Sequence, residues 1–366
     1  MAKKSQTMSP PATSQQGSEG TLRTEIAERF RLSPTPKESR TESRKKEHVK
    51  IALGADVQYS KRTELEKVEL LHNALPEIDF ESVDLSTKFL GKRIAYPLMI
   101  SAMTGGYPEA QKINEGLAAA AQKHRLAFAL GSQRAMLENA SLRDTYFVRN
   151  VAPDIPVIGN IGAVQLKRYP LDKVLDLVSS VEADALAVHL NPLQEVIQPE
   201  GDRDYSGVLS AIGKLCEKSG VPIIVKETGT GISQDVAIRL KQAGVSYIDV
   251  AGAGGTSWSR VEYAREGATP GFEEWGIPTL ECLIECRGVL PLIASGGIRD
   301  GIDVAKSIAL GADLAGAAYP FLKALDQGQA KLDETLSVWE AQMKKAAFLT
   351  GSRDIAGLKK AKLVFH

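Results

Sequence analysis

From residue 94 onward the chain alternates between two hydrophobic rhythms. Short, nearly unbroken apolar runs cover 97–102, 126–130, 156–161, 185–190, 222–225, 247–251, 291–294 and 313–317, and glycine or polar residues follow them. Such runs, apolar at consecutive positions, are what strands buried on both faces require. Between them lie segments with helical periodicity, among them 110–124, 171–181, 234–244 and 301–311. Eight strand–helix units in succession predict an α/β fold, a (β/α)8 TIM barrel. A doubly wound open sheet is the rival. The count of eight strands, and the lack of a G-x-G-x-x-G after the first, favour the barrel.

The ends of the chain follow neither rhythm. Residues 1–40 are rich in Ser, Thr, Pro and Gln and carry too few apolar side chains to order themselves, so a disordered polar tail is expected there. No apolar stretch follows Lys3-Lys4, so the tail does not read as a secretory leader. Leu22, Ile26 and Phe30, at i, i+4 and i+8, fit one short amphipathic helix within it. Residues 41–93 read as an N-terminal extension, 94–350 as the barrel, and 351–366 as a C-terminal tail. The stretch 252–278 exceeds an ordinary strand–helix loop and reads as a lid or a disordered segment.

Composition narrows the function. In 366 residues, 45 Lys and Arg balance 45 Asp and Glu, which argues against nucleic acid as the main partner. Three cysteines cannot make a disulfide framework and fit a reducing compartment. Cys282 and Cys286 share a helical spacing, but the absence of His or further Cys nearby argues against a metal site. No apolar run approaches the roughly 20 residues of a membrane span. A cytoplasmic location without membrane association is expected.

In a barrel of this type the active site gathers at the C-terminal strand ends. Here those ends read Met103-Thr104-Gly105-Gly106, Gly131-Ser132-Gln133-Arg134, Asn160, His189-Leu190-Asn191, Lys226-Glu227-Thr228-Gly229, Gly252 through Ser257, Ser295-Gly296-Gly297 and Ala317-Ala318. Nearly every strand delivers glycine, a hydroxyl, an amide or a charge to one rim. Ser295-Gly296-Gly297-Ile298-Arg299, with small neighbours at Gly311-Ala312 and Ala317-Ala318, suits a phosphate held by backbone N–H groups near a helix N-terminus. Lys226 reads three ways: a Schiff-base lysine, a cation beside an electron-rich ring, or an ion-pair partner of Glu227 or another carboxylate. Being adjacent on a strand, Lys226 and Glu227 cannot both face the interior. The density of polar groups in His189…Asn191-Pro192-Leu193-Gln194-Glu195 reads as substrate handling, with Glu195 able to share Mg²⁺ with a substrate phosphate. Arg44-Lys45-Lys46-Glu47-His48, taken alone, reads as a solvated basic run.

Together these motifs, in this order from about Arg44 to Thr350, resemble the type 2, flavin-dependent isopentenyl-diphosphate isomerases. The Asn191-Pro192-Leu193-Gln194-Glu195 run after His189 is the most specific of them; Gly254-Gly255-Thr256-Ser257-Trp258 and the other glycine motifs are shared with other FMN barrels. The resemblance implies FMN at the C-terminal face, active when reduced, with Mg²⁺ and with NADPH as the reductant. It implies that Met103, Thr104, Gly105, Ser132, Asn160, Lys226 and Thr256 meet the flavin, and that Gly296, Gly297, Arg299, Ala317 and Ala318 lie around its phosphate. Arg44, Lys45, His48, Arg134, His189, Asn191 and Gln194 would hold isopentenyl or dimethylallyl diphosphate, and Glu195 the metal. Gln194, His189 and Lys226 form the expected catalytic set, with Gln194 orienting or relaying a proton because a neutral amide does not titrate in the physiological range. Charge for the diphosphate would come from Arg44, Lys45, Arg134 and His189. The family tends to assemble as tetramers or larger.

The nearest rival is an FMN-dependent 2-hydroxy-acid oxidoreductase on the same barrel. That chemistry wants a His base after strands six and seven, where this chain has Gly252-Ala253-Gly254-Gly255-Thr256-Ser257-Trp258. A Schiff-base aldolase using Lys226 and a non-catalytic flavin protein are the other readings. The aldolase would be trapped by borohydride with a carbonyl substrate, and the non-catalytic protein would not need the cluster from His189 to Glu195.

Overall fold

Eight parallel strands close on one another in chain order. The computed structural model describes residues 40–265 and 268–366. Three strands precede the barrel: β1 (Val68–Leu70), β2 (Thr87–Phe89) and β3 (Lys92–Ile94). The barrel itself is β4 (Leu98–Ile100), β5 (Ala127–Ala129), β6 (Val157–Gly162), β7 (Ala185–His189), β8 (Ile223–Lys226), β9 (Tyr247–Asp249), β10 (Leu292–Ala294) and β11 (Leu314–Ala317). Each expected strand is present, and β11 closes on β4 through Ala315↔Leu98 and Ala317↔Ile100. The helices expected near 110–124, 171–181, 234–244 and 301–311 are Pro108–Lys123, Leu171–Ser180, Gln234–Gln242 and Gly301–Ala309.

The two sides of each strand explain the unbroken apolar runs. Met99, Ala129, Ile158, Ala187, Ile224 and Ile293 fill the interior. Their neighbours Leu98, Ile100, Phe128, Val157, Leu186 and Val225 pack outward in the larger core. With both faces buried, the strands stay apolar until near the rim, where Asn160 enters β6 and Lys226 ends β8.

The extension serves both ends of the barrel. At the N-terminal end the β2–β3 hairpin carries Phe89 and Ile94 into the interior cluster, with the Phe89 ring 5.3 Å from Tyr247. Its two-residue turn, Leu90 and Gly91, has positive φ at both positions, matching the twist of a tight hairpin. Burying Phe89 contributes about 2 kcal/mol. At the other end, Ile51 of the helix Arg40–Gly54 and Val57 pack on Val261, and Gln58 bridges Thr256. The helix thereby lies beside the mouth.

Residues 351–366, set apart from the barrel in the sequence, are tied to the body. Leu358 of the short helix Ile355–Leu358 is buried, and β12 (Leu363–Phe365) pairs antiparallel with β1. The segment 252–278 holds the helix Trp258–Ala264, and its ends meet through the Ala253↔Pro278 bridge. The expected tail, with its Leu22, Ile26 and Phe30 turn, lies outside the described residues. Among the described residues no helix is long and apolar enough to cross a membrane.

Candidate active site

Parallel closure brings all eight strand ends to one rim, and a cavity opens there under the helix Arg40–Gly54. Its wall includes Arg44, Lys45 and His48 from that helix, Met103 and Thr104 after β4, Ser132 and Arg134 after β5, and Asn160 in β6. His189, Asn191, Gln194 and Glu195 come from β7 and its loop, Lys226 from β8 and Thr256 from beyond β9. Gly296, Gly297 and Arg299 after β10, with Ala317 and Ala318 at β11, complete it. Of the residues assigned to flavin, substrate or metal from the sequence, Gly105 alone is absent from the wall. Its carbonyl accepts from Lys45 Nζ at 2.9 Å.

The glycines are required by backbone crowding. Gly296 has φ of 91°, and a Cβ there would sit 2.1 Å from Gly252 O. At Gly297, φ 74°, it would meet Thr63 and Gly254 within 2.6 Å. The two loops pass so closely that only glycine fits, and the N–H groups of Gly296 and Gly297 meet no acceptor among the described residues. Beside them the helix Tyr319–Asp326 starts at Ala318 with no side-chain cap. Free N–H groups and an uncapped helix N-terminus make a cradle for a phosphate. Arg299, across the rim, donates to Gln58 Oε1 at 2.6 Å, and Gln58 Nε2 to Thr256 Oγ1 at 3.1 Å.

Around β7 the polar groups form one network. Asn191 Nδ2 donates to Gln194 Oε1 at 3.1 Å and to Glu195 Oε1 at 3.0 Å, while Tyr205 Oη donates to Asn191 Oδ1 at 3.0 Å. Glu195 Oε2 accepts from Gln198 Nε2 at 2.7 Å and from Asp202 N at 2.6 Å. Gln194 Nε2 donates to Glu262 Oε1 at 2.8 Å. Glu262 was not legible in the sequence. It is buried on the helix Trp258–Ala264, where His48 Nε2 lies 2.9 Å away and Arg265 Nη1 donates to it at 2.6 Å. Burial opposes its ionisation, but His48 and Arg265 outweigh that and hold the carboxyl down at about 2.

The basic residues divide into three kinds. Arg44 has no carboxylate partner among the described residues and faces the cavity. Lys45 Nζ is caged by Gly105 O, Ser132 O at 2.6 Å and Tyr146 Oη at 2.7 Å. Burial, with Arg44 and Arg134 nearby, brings it down to about 7. Arg134 is held by Glu138 at 2.9 Å and Asp202 at 3.1 Å. His189 departs from expectation. Burial first, then Lys226, Lys45 and Arg44, push it down to about 3, so at neutral pH it brings a hydrogen-bonding ring and no charge. Its Nδ1 contacts Asn160 Oδ1 at 2.8 Å.

Lys226 and Glu227 do face opposite ways. Lys226 lines the cavity and donates to the Glu227 backbone carbonyl. The Glu227 carboxylate turns back and accepts from the N–H groups of Thr228, Gly229 and Thr230. No group of three or more His, Cys, Asp or Glu suited to a metal occurs among the described residues. Glu195 is the one carboxylate in the described cavity wall. The segment 252–278 also departs from a structureless lid, because Trp258 and Val261 pack on the N-terminal helix.

The family model described as FMN-dependent dehydrogenase matches residues 39–145 and 179–365. Among curated proteins, the isopentenyl-diphosphate delta-isomerase of Nostoc sp. is 48% identical over 340 residues, covering 89% of this chain and 97% of its own. That of Pyrococcus abyssi is 44% identical, covering 89% and 93%. The chain belongs to the FMN-dependent dehydrogenase family and to the isopentenyl-diphosphate delta-isomerases. Among solved structures, a mandelate oxidase variant superposes with a TM-score of 0.62 at 16% identity, covering 87% of this chain and 95% of that one. A flavocytochrome b2 variant gives 0.63 at 19%, covering 88% and 79%. At such identity these share the fold alone.

Proposed function

We infer that this protein is an isomerase that interconverts isopentenyl and dimethylallyl diphosphates, using reduced FMN without net redox change. The observation that carries this reading is the pairing, over one glycine-lined mouth, of the cationic helix bearing Arg44 and Lys45 with the Asn191–Gln194–Glu195 loop. A 2-hydroxy acid needs neither an anion clamp for two phosphates nor that amide–carboxylate network.

The residues present fit FMN. Gly296, Gly297, Ala317 and Ala318 would hold its phosphate, with Arg299 nearby. Met103, Thr104, Ser132, Asn160 and Thr256 would surround the ring, and Lys226 would face its N1 and C2 carbonyl edge. When bound, reduced FMN supplies a nitrogen able to give and take a proton and an electron-rich face for a carbocation-like centre. Moving the double bond adds a proton at one carbon and removes one from another. Arg44 and Arg134 hold the diphosphate, with the Lys45 charge behind them and His48 and Asn191 beside it, and fix which carbon meets which group. His189, neutral, orients the substrate by hydrogen bonding. Gln194, fixed between Asn191 and Glu262, orients the reacting carbons, and the ionised Glu262 behind it holds that amide in place by accepting from its Nε2. Glu195 would hold Mg²⁺ together with diphosphate oxygens, since Mg²⁺ is commonly bound by one or two carboxylates plus substrate phosphates. NADPH is the proposed reductant that keeps the flavin active.

The test is product chemistry. An allylic diphosphate solvolyses in acid and the homoallylic isomer does not, so acid-labile product should form from isopentenyl diphosphate only with FMN reduced and Mg²⁺ present. Hydrogen peroxide from 2-hydroxy acids, with no acid-labile product, would reverse the reading in favour of the oxidase.

A further inference from the structure

We propose that Asp249 is a positioning residue for Lys226, the fixed counter-charge of its ammonium, and that it thereby restrains how strongly the site favours reduced over oxidised flavin. This rests on FMN lying over Lys226 as read above, and not on the substrate.

Asp249 ends β9 and stands opposite Lys226 in the β8–β9 register. It is fully buried, a place where a carboxylate persists only with a partner. Ser295 Oγ donates to Oδ1 at 2.5 Å, which leaves Oδ2 with no hydrogen bond. That free oxygen lies 3.9 Å from Lys226 Nζ. Other candidates for the counter-charge are excluded by geometry. The Glu227 carboxylate is turned away and taken by three backbone N–H groups, and Lys226 touches only that residue's carbonyl. Burial raises the proton affinity of Asp249, while Lys226 and Ser295 oppose the rise. An ammonium carries three donors, so after the bond to Glu227 O two remain for the cavity and for Oδ2.

The consequence follows from charge. Two-electron reduction of FMN with uptake of one proton leaves one negative charge along the N1–C2 carbonyl edge, and a cation there favours the reduced state. A lysine paired with a buried carboxylate presents much less positive charge than a bare one. Removing the carboxylate charge should therefore favour reduction, and removing the lysine should oppose it.

The test is a spectroelectrochemical titration of the FMN-loaded full chain without substrate, comparing wild type, Asp249→Asn and Lys226→Met. Asp249→Asn should bind reduced over oxidised FMN about tenfold more selectively than wild type, an upward midpoint shift of about 30 mV for a two-electron couple. Lys226→Met should shift the midpoint downward. A bound flavin whose midpoint is unchanged or lowered in Asp249→Asn overturns the proposal. If that variant retains no flavin, Ser295→Ala decides: loss of the donor to Oδ1 favours the neutral acid and should also raise the midpoint, and no rise overturns the proposal. A wild-type chain that takes up no FMN overturns the cofactor reading and this one together, whereas failure of the isomerase assay leaves the titration intact.

Discussion

Gln194 Nε2 donates to Glu262 Oε1 across 2.8 Å, joining the loop after β7 to the helix Trp258–Ala264. The same carboxylate meets His48 and Arg265, so one buried anion organises three segments around the Gln194 amide. Glu262→Gln keeps the shape and removes the charge. Its kcat should fall by up to about 100-fold, as expected when the anion that positions Gln194 over the reacting carbons is lost, with little change in KM for the diphosphate. Anaerobic steady-state kinetics check this; an unchanged kcat would remove Glu262 from the mechanism.

Lys45 predicts a pH dependence of binding. Its ammonium, already down at about 7, is charged below that pH and neutral above it. An anionic ligand favours the charged form, so binding above about pH 7 should draw in a proton, and inorganic pyrophosphate should bind more weakly as pH rises, by at most tenfold per unit from this group. Lys45→Met should flatten that slope. Calorimetry in buffers of different ionisation enthalpy measures the proton uptake directly.

Stability should also depend on pH through His189. Its folded value of about 3 lies below the ordinary imidazole range, so the unfolded chain binds the extra proton first as pH falls. This contribution is complete above about pH 6.5, the unperturbed imidazole value, and is lost progressively below it. His189→Asn should show a shallower loss of stability between pH 6.5 and 4 in urea titrations.

Much of this was readable in the chain and some was not. The strand ends were visible because a barrel strand tolerates apolar residues at every position until it reaches the rim, as Ile224, Val225 and then Lys226 do. Glycine marked the cradle, since backbone crowding at Gly296 leaves no room for Cβ. Glu262, Arg265 and Asp249 carried no such mark. Glu262 and Asp249 meet partners distant in sequence, Gln194 and His48 for Glu262 and Lys226 for Asp249, and no local spacing encodes those approaches. Arg44 and Lys45 looked like solvated charge because their burial depends on how the extension crosses the mouth. His189 was expected to supply charge because composition does not report desolvation.

Glu195 gives a prediction about metal. Both its oxygens are hydrogen-bonded by Asn191, Gln198 and Asp202, so the carboxylate is held rigidly facing the cavity. Glu195→Gln should retain FMN and need about 10-fold or more Mg²⁺ for half-maximal activity, the loss expected when a metal ligand's contribution is removed. An unaltered Mg²⁺ dependence would rule out this ligand.

Gly296→Ala tests the cradle. A methyl group 2.1 Å from Gly252 O at φ 91° forces the two loops apart. The purified variant should fold but carry little flavin, read from its visible absorbance against protein; full flavin content would place the phosphate elsewhere.

The central claim is that the protein moves a double bond by proton addition and removal with no net redox change. Proton NMR of isopentenyl diphosphate in D₂O, with the protein, Mg²⁺ and FMN held reduced without oxygen, addresses it directly. Dimethylallyl diphosphate carrying deuterium should form only while the flavin is reduced and without its consumption. Flavin-replete protein that leaves the substrate unchanged under those conditions would contradict it.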